Sequence, residues 1–225
     1  MTLHTWQFFH HTLRDRAGIE RRVSVALPDQ ILHAPTVVYC ADGQVVETLC
    51  RYMASCEIQN PPILIGVHSN EATRAQGYLF DKNRHYLAHE EFFVDELPTW
   101  ANTEYDVAQL RSSTVVFGFS NGGAFALTAA LRHPASFAAA FSFSTPKLSA
   151  MPCIKSAGTL MPSIYLATGN IGPEKSIRKN VLHLARWLRK LNIPVTLAEK
   201  NAGHTLDFWA SELPIALDWF RETTT

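Results

Sequence analysis

Val115-Val116-Phe117-Gly118-Phe119-Ser120-Asn121-Gly122-Gly123-Ala124-Phe125-Ala126-Leu127 is the stretch on which the fold turns. Strand-forming residues lead into Gly-x-Ser-x-Gly, and an alanine- and leucine-rich helical stretch follows at once. This is the strand–turn–helix setting in which such a serine acts as a nucleophile. The reason is steric. A serine at the tip of so sharp a turn is held in a strained backbone conformation. The residues two before and two after it come close together and must lack side chains, which Gly118 and Gly122 satisfy. The turn lifts the hydroxyl clear of the sheet and aims the free N–H groups of the helix N-terminus at the reacting centre. The backbone N–H of Asn121 is then one natural oxyanion donor. The bland alternative is a glycine-rich loop between an ordinary strand and helix.

The flanking segments repeat the strand–helix alternation. Apolar or alternating runs at 21–27, 36–40, 63–67, 114–117, 137–143, 163–167 and 194–198 read as strands. Helical patterns cover 45–57, 91–110 with Pro98 interrupting, the segment from Ser120 to about Arg132, and 207–221. Ile177, Val181, Leu184, Leu188 and Leu191 mark a further amphipathic helix. The polar stretch from His68 to about 90 has no clear period and reads as a long surface excursion. The pattern implies an α/β protein with a mostly parallel central sheet and helices on both faces. In such sheets sites form at the carboxyl ends of the strands.

The chain's 225 residues fit one sizeable domain over 1–225. Lysine plus arginine equals aspartate plus glutamate, with no long block of either sign. That argues against nucleic acid or an anionic membrane as partner. No apolar run is long enough to span a bilayer, and the N-terminus lacks the pattern of a signal peptide, so a cytoplasmic protein is expected. Cys40, Cys50, Cys56 and Cys153 form no C-x-x-C pair and no zinc spacing, and read as reduced packing residues. No metal site is expected.

A serine nucleophile needs a base. Three histidines follow Ser120 in the chain. His133 lies at the far end of the nucleophile's own helix, and His183 sits inside the amphipathic helix. His204, in the loop after the last strand, is the candidate general base. The acid should follow the strand 163–167, where Glu174 is the one carboxylate of Thr168-Gly169-Asn170-Ile171-Gly172-Pro173-Glu174. Pro173-Glu174 is equally a good helix start, with an acid facing the positive end of the dipole. Asp207 is a rival acid, and a serine–histidine pair without an acid is a third arrangement. The second oxyanion donor is sought in Tyr39-Cys40-Ala41-Asp42-Gly43-Gln44, from an N–H of Gly43, Gln44 or Val45. Arg74, His68, Tyr78 and Trp209 are candidate pocket residues, with Arg74 and Trp209 named for substrate binding.

From about 20 to 220 the chain resembles the putative-esterase family of α/β hydrolases, which includes enterochelin-type esterases, feruloyl esterases, S-formylglutathione hydrolases and mycolyltransferases. The resemblance rests on Val37-Val38-Tyr39 running into Asp42-Gly43-Gln44, on Arg74 with Tyr78, and on Phe93 with Glu96-Leu97-Pro98. It continues through Gly118–Gly123, His133-Pro134, Phe137 leading to Ser144, and Gly203-His204 with Trp209. It implies an α/β-hydrolase fold, hydrolysis of a small-molecule ester through an acyl-enzyme on Ser120 with His204 as base, and no cofactor. Two features depart from the family pattern. The carboxylate of the loop 169–174 is displaced by two residues to Glu174. Arg-x-x-Glu-Tyr becomes Arg74-Ala75-Gln76-Gly77-Tyr78. An acyltransferase on the same scaffold and a non-catalytic binding protein are the rival expectations.

Overall fold

The computed structural model describes residues 4–31, 35–56, 58, 60–70, 72–80, 83–107, 110–148, 150 and 160–224; Cys153 lies outside the described residues. Eight strands form one sheet: β1 Trp6–Arg14, β2 Glu20–Pro28, β3 Val37–Cys40, β4 Ile63–Val67, β5 Thr114–Phe119, β6 Ala139–Phe143, β7 Ser163–Thr168 and β8 Val195–Glu199. Their spatial order is β1-β2-β4-β3-β5-β6-β7-β8. β1 and β2 form an antiparallel hairpin, and β2 runs antiparallel to β4. Every other pairing is parallel. This is the α/β-hydrolase architecture.

Strands β3 and β5 are buried along their whole length. Alternate residues point to opposite faces, so each strand feeds two cores. Val38, Cys40, Val115 and Phe117 pack with Val46, Leu49 and Met53 of α1 (Val46–Ala54) and with Leu213, Leu217 and Phe220 of α7 (Leu206–Thr224). Val37, Tyr39 and Val116 face the other way. There they meet Tyr86 of α3 (Arg84–Glu91), Phe125 and Leu131 of α5 (Asn121–Arg132), and Val181, Leu184 and Leu188 of α6 (Glu174–Lys190). Two-sided burial explains why these strands read as unbroken apolar runs.

Three segments differ from the sequence reading. β1 had no strand signal, because it is an edge strand whose side chains are mostly exposed and polar. The excursion after His68 carries two helices, α2 (Arg74–Tyr78) and α3. Neither repeats an apolar face over enough turns to show a period. Pro98 does not interrupt its helix. It occupies the first turn of α4 (Leu97–Tyr105), directly after a π-helical turn at Phe92–Glu96, and the helix runs on through it.

Candidate active site

Ser120 stands between the end of β5 and the start of α5, with φ 53° and ψ −127°. A positive φ is costly for a residue with a Cβ. The conformation is fixed from both sides. The Ser120 N–H continues the strand ladder to the carbonyl of Phe143 at 2.9 Å, while its carbonyl accepts the first helical bond from Ala124 at 3.2 Å. A Cβ on Gly118 would collide with the carbonyl of Gly122, and one on Gly122 would lie 2.7 Å from Asp42 Oδ2. Both glycines are therefore required by close approach. The N–H groups of the first turn of α5, beginning with Asn121, have no carbonyl within the helix to bond.

His204 lies after β8 and is partly exposed. Its Nδ1 is 2.6 Å from Oε1 of Glu174, the first residue of α6, which is fully buried. The other oxygen, Oε2, accepts the backbone N–H of Gly169 at 2.9 Å and the Thr168 hydroxyl at 3.0 Å. Burial alone would push the Glu174 carboxyl up. Hydrogen bonds from His204, the Ser144 hydroxyl, the Gly169 N–H and Thr168 outweigh it and hold the group below the usual carboxylate range. An ionised carboxylate only accepts, so His204 Nδ1 carries the proton and Nε2 keeps its lone pair. The acid and histidine loops are pressed together. Asn170 and Ile171 both donate to the Ala202 carbonyl at 3.0 Å, and a side chain on Gly169 would run into that same carbonyl. Asp207, the rival acid, is exposed and accepts from the Tyr52 hydroxyl. His133 sits at the other end of α5, 3.4 Å from Glu90. His183 lies within α6.

Trp209 joins the two halves. Its indole stacks on Phe119 at 4.2 Å, the ring next to Ser120 in the chain, and meets the His204 ring edge-on at 4.8 Å. Its Nε1–H donates to Ser144 Oγ at 2.8 Å. The Ser144 hydroxyl thus lies between Trp209 and Glu174. Sequence reasoning gave Ser144 no role beyond its place in the family resemblance and gave none to Thr168 or Phe119; a hydroxyl or a ring on a buried strand end carries no signal by itself.

The turn after β3 forms the opposite wall. Gly43–Val45 is a 3₁₀ turn, and Gly43 packs so closely on the Gly66 carbonyl that no side chain fits. Buried Asp42 organises this wall. It accepts Arg74 Nε at 3.0 Å and Nη2 at 2.7 Å, and the Ser69 hydroxyl at 2.8 Å. Arg74 Nη2 also reaches the Phe119 carbonyl at 3.3 Å. The guanidinium is therefore engaged with the protein, although Arg74 borders the cleft. The Gln44 side chain bonds Ser69 from both its amide atoms. Asp42, Gln44, Arg74, Phe119, Asn121 and Trp209 line an open cleft of about 490 Å³. Tyr78 lies below, with its hydroxyl donated to the Ala41 carbonyl. Among the described residues no helix is long and apolar enough to cross a membrane.

No curated protein sequence matches the chain. Solved structures do. A ferulic acid esterase is 17% identical with a TM-score of 0.75, over 98% of this chain and 99% of its own. An S-formylglutathione hydrolase from Agrobacterium tumefaciens is 16% identical with a TM-score of 0.72, over 100% of this chain and 98% of its own. The enterochelin esterase of Shigella flexneri is 18% identical with a TM-score of 0.75, and 95% of this chain covers 57% of it. At these identities the likeness is one of fold. The sequence model of the putative-esterase family matches residues 15–154, well over half the chain and including Ser120. The chain therefore belongs to the putative-esterase family, as a carboxylic-ester hydrolase of the α/β-hydrolase fold.

Proposed function

We propose that the chain hydrolyses small carboxylic esters through an acyl-enzyme, with Ser120 as nucleophile, His204 as general base and Glu174 as the acid behind it. The observation that carries this reading is the 2.6 Å bond from His204 Nδ1 to a fully buried, ionised Glu174. It leaves Nε2 as the free basic atom of the site.

The ester carbonyl enters the cleft beside Asn121. Ser120 Oγ attacks its carbon while His204 Nε2 takes the hydroxyl proton. Negative charge develops on the carbonyl oxygen, and the N–H groups of Asn121 and Gln44 stabilise it. Glu174 stabilises the imidazolium without itself taking the proton. The proton then passes to the departing alcohol. Water, deprotonated by His204, releases the acid and restores Ser120. Trp209 and Phe119 provide the apolar wall against which the substrate lies. Arg74 contributes by bracing Asp42 and, through it, the turn that carries Gln44.

Turnover of p-nitrophenyl acetate tests the reading. Ser120→Ala is expected to lower kcat by about 10⁴-fold or more, and a fluorophosphonate probe should label the wild type and spare the variant. Undiminished turnover in Ser120→Ala would overturn the proposal. Product analysis with an added alcohol separates hydrolysis from acyl transfer, and free acid is the expected main product.

A further inference from the structure

Beside the cleft lies a second pocket of about 310 Å³, which shares Ser69 and Arg74 with it as common wall. His68, the residue after β4, lines this pocket, and its ring abuts Gly43 of the proposed oxyanion turn through Cδ2. His68 also ends a chain of polar groups that the ester chemistry does not use. Its Nε2 is 2.7 Å from Ser24 Oγ on β2. Ser24 Oγ is 3.0 Å from His10 Nδ1 on β1, and His10 Nε2 is 3.3 Å from Glu47 Oε1 on α1. Ser24 itself is buried between the two rings.

A serine hydroxyl has one proton. Ser24 can therefore donate to only one of the two histidines, and when it does so it can only accept from the other. Glu47 breaks the tie, because an ionised carboxylate only accepts. It takes the Nε2–H of neutral His10, so His10 Nδ1 must accept from Ser24. Ser24 in turn accepts from Nε2–H of His68. That leaves His68 Nδ1 with a lone pair, on the ring edge opposite the one that touches Gly43. Burial and the Arg22 charge push the His68 pKa down, so the ring stays neutral and its acceptor stays available.

We infer that the pocket is a substrate subsite in which His68 Nδ1 accepts a hydrogen bond from a hydroxyl on the ester, with its polarity set by the Glu47–His10–Ser24 chain. This rests on the esterase reading above and adds a preference to it, namely hydroxylated over capped substrates.

The test has two arms. In the first, ¹⁵N-histidine NMR at alkaline pH is expected to show His68 as the Nε2–H tautomer, with loss of that bias in His10→Phe. An Nδ1–H His68 in the wild type overturns the inference. In the second, p-nitrophenyl esters of hydroxybutanoate, hydroxypentanoate and hydroxyhexanoate are compared with their methyl ethers. For the best-fitting chain the ratio of kcat/KM is expected to favour the hydroxyl by about tenfold. It should fall toward one in His68→Phe and in His10→Phe. A wild-type ratio near one for every chain, or a ratio unmoved by His68→Phe, overturns it. Should no ester be turned over, the esterase reading fails separately. The pocket is then tested by adding the free hydroxy acids, which must shift the His68 Nδ1 resonance for the assignment to survive.

Discussion

Glu174 has two positions at once, one local and one distant. Locally it is the first residue of α6, where an acid favours the helix dipole. At a distance it holds the imidazole of His204. Glu174→Gln separates these, since the amide keeps the shape but turns an N–H toward His204 Nδ1. The wrong tautomer is then favoured, and kcat for p-nitrophenyl acetate is expected to fall by about 10²–10⁴-fold. Asp207→Asn should leave kcat within about twofold, because Asp207 accepts from Tyr52 while His204 Nδ1 is held by Glu174. The reverse result would make Asp207 the working acid. As candidates, Ser120 and His204 could be picked from the sequence because each is tied to local chain chemistry, a glycine-flanked turn and the loop after a strand. Glu174 was only half legible, because its local role alone explains its presence. Arg74 was legible as a neighbour of the site. Its pairing with Asp42 depends on a contact between residues 32 positions apart, which spacing does not reveal.

At the scale of elements, the candidate site depends on four strand-to-helix turns, after β3, β5, β7 and β8, being brought to one end of the sheet. The turn after β7 and the loop after β8 touch backbone to backbone at Gly169 and Ala202. Gly169→Ala would force that contact apart and carry Glu174 away from His204. The expected cost is about 1–3 kcal/mol of stability, with a fall in kcat larger than any change in KM. A denaturant titration together with a kinetic comparison reads both, and unchanged kcat would show that the two loops are positioned independently. The core strands and the amphipathic α6 were legible because two-sided or one-sided burial writes itself into hydrophobic periodicity. β1, α2 and α3 were not. Their residues are ordered by partners elsewhere, such as the Asp42 carboxylate that captures Arg74 of α2.

On the scale of the whole molecule, α3 is bound to the far end of α5 by Glu90. This nearly buried carboxylate accepts Arg132 Nε at 2.7 Å and Nη2 at 3.1 Å. Burial raises its pKa, but His133 and Arg132 more than reverse this and bring it to about 2. An unfolded glutamate titrates near about 4.3. The depressed group therefore contributes stability that is complete above the unfolded value and is lost as pH falls from about 4 to about 2. Unfolding free energy measured across that window should decline less steeply in Glu90→Gln than in the wild type. Equal slopes would show that Glu90 is not the acid-sensitive contact. The five tryptophans are spread through the fold, at positions 6, 100, 187, 209 and 219. Of these, Trp209 is the one whose ring meets both His204 and the Phe119 ring beside Ser120. The protein thereby carries its own fluorophore at the proposed reaction centre. Phosphonylation of Ser120 by a fluorophosphonate, with fluoride as the leaving group, should change indole emission in real time, and Trp209→Phe should remove that response while the other four tryptophans continue to emit.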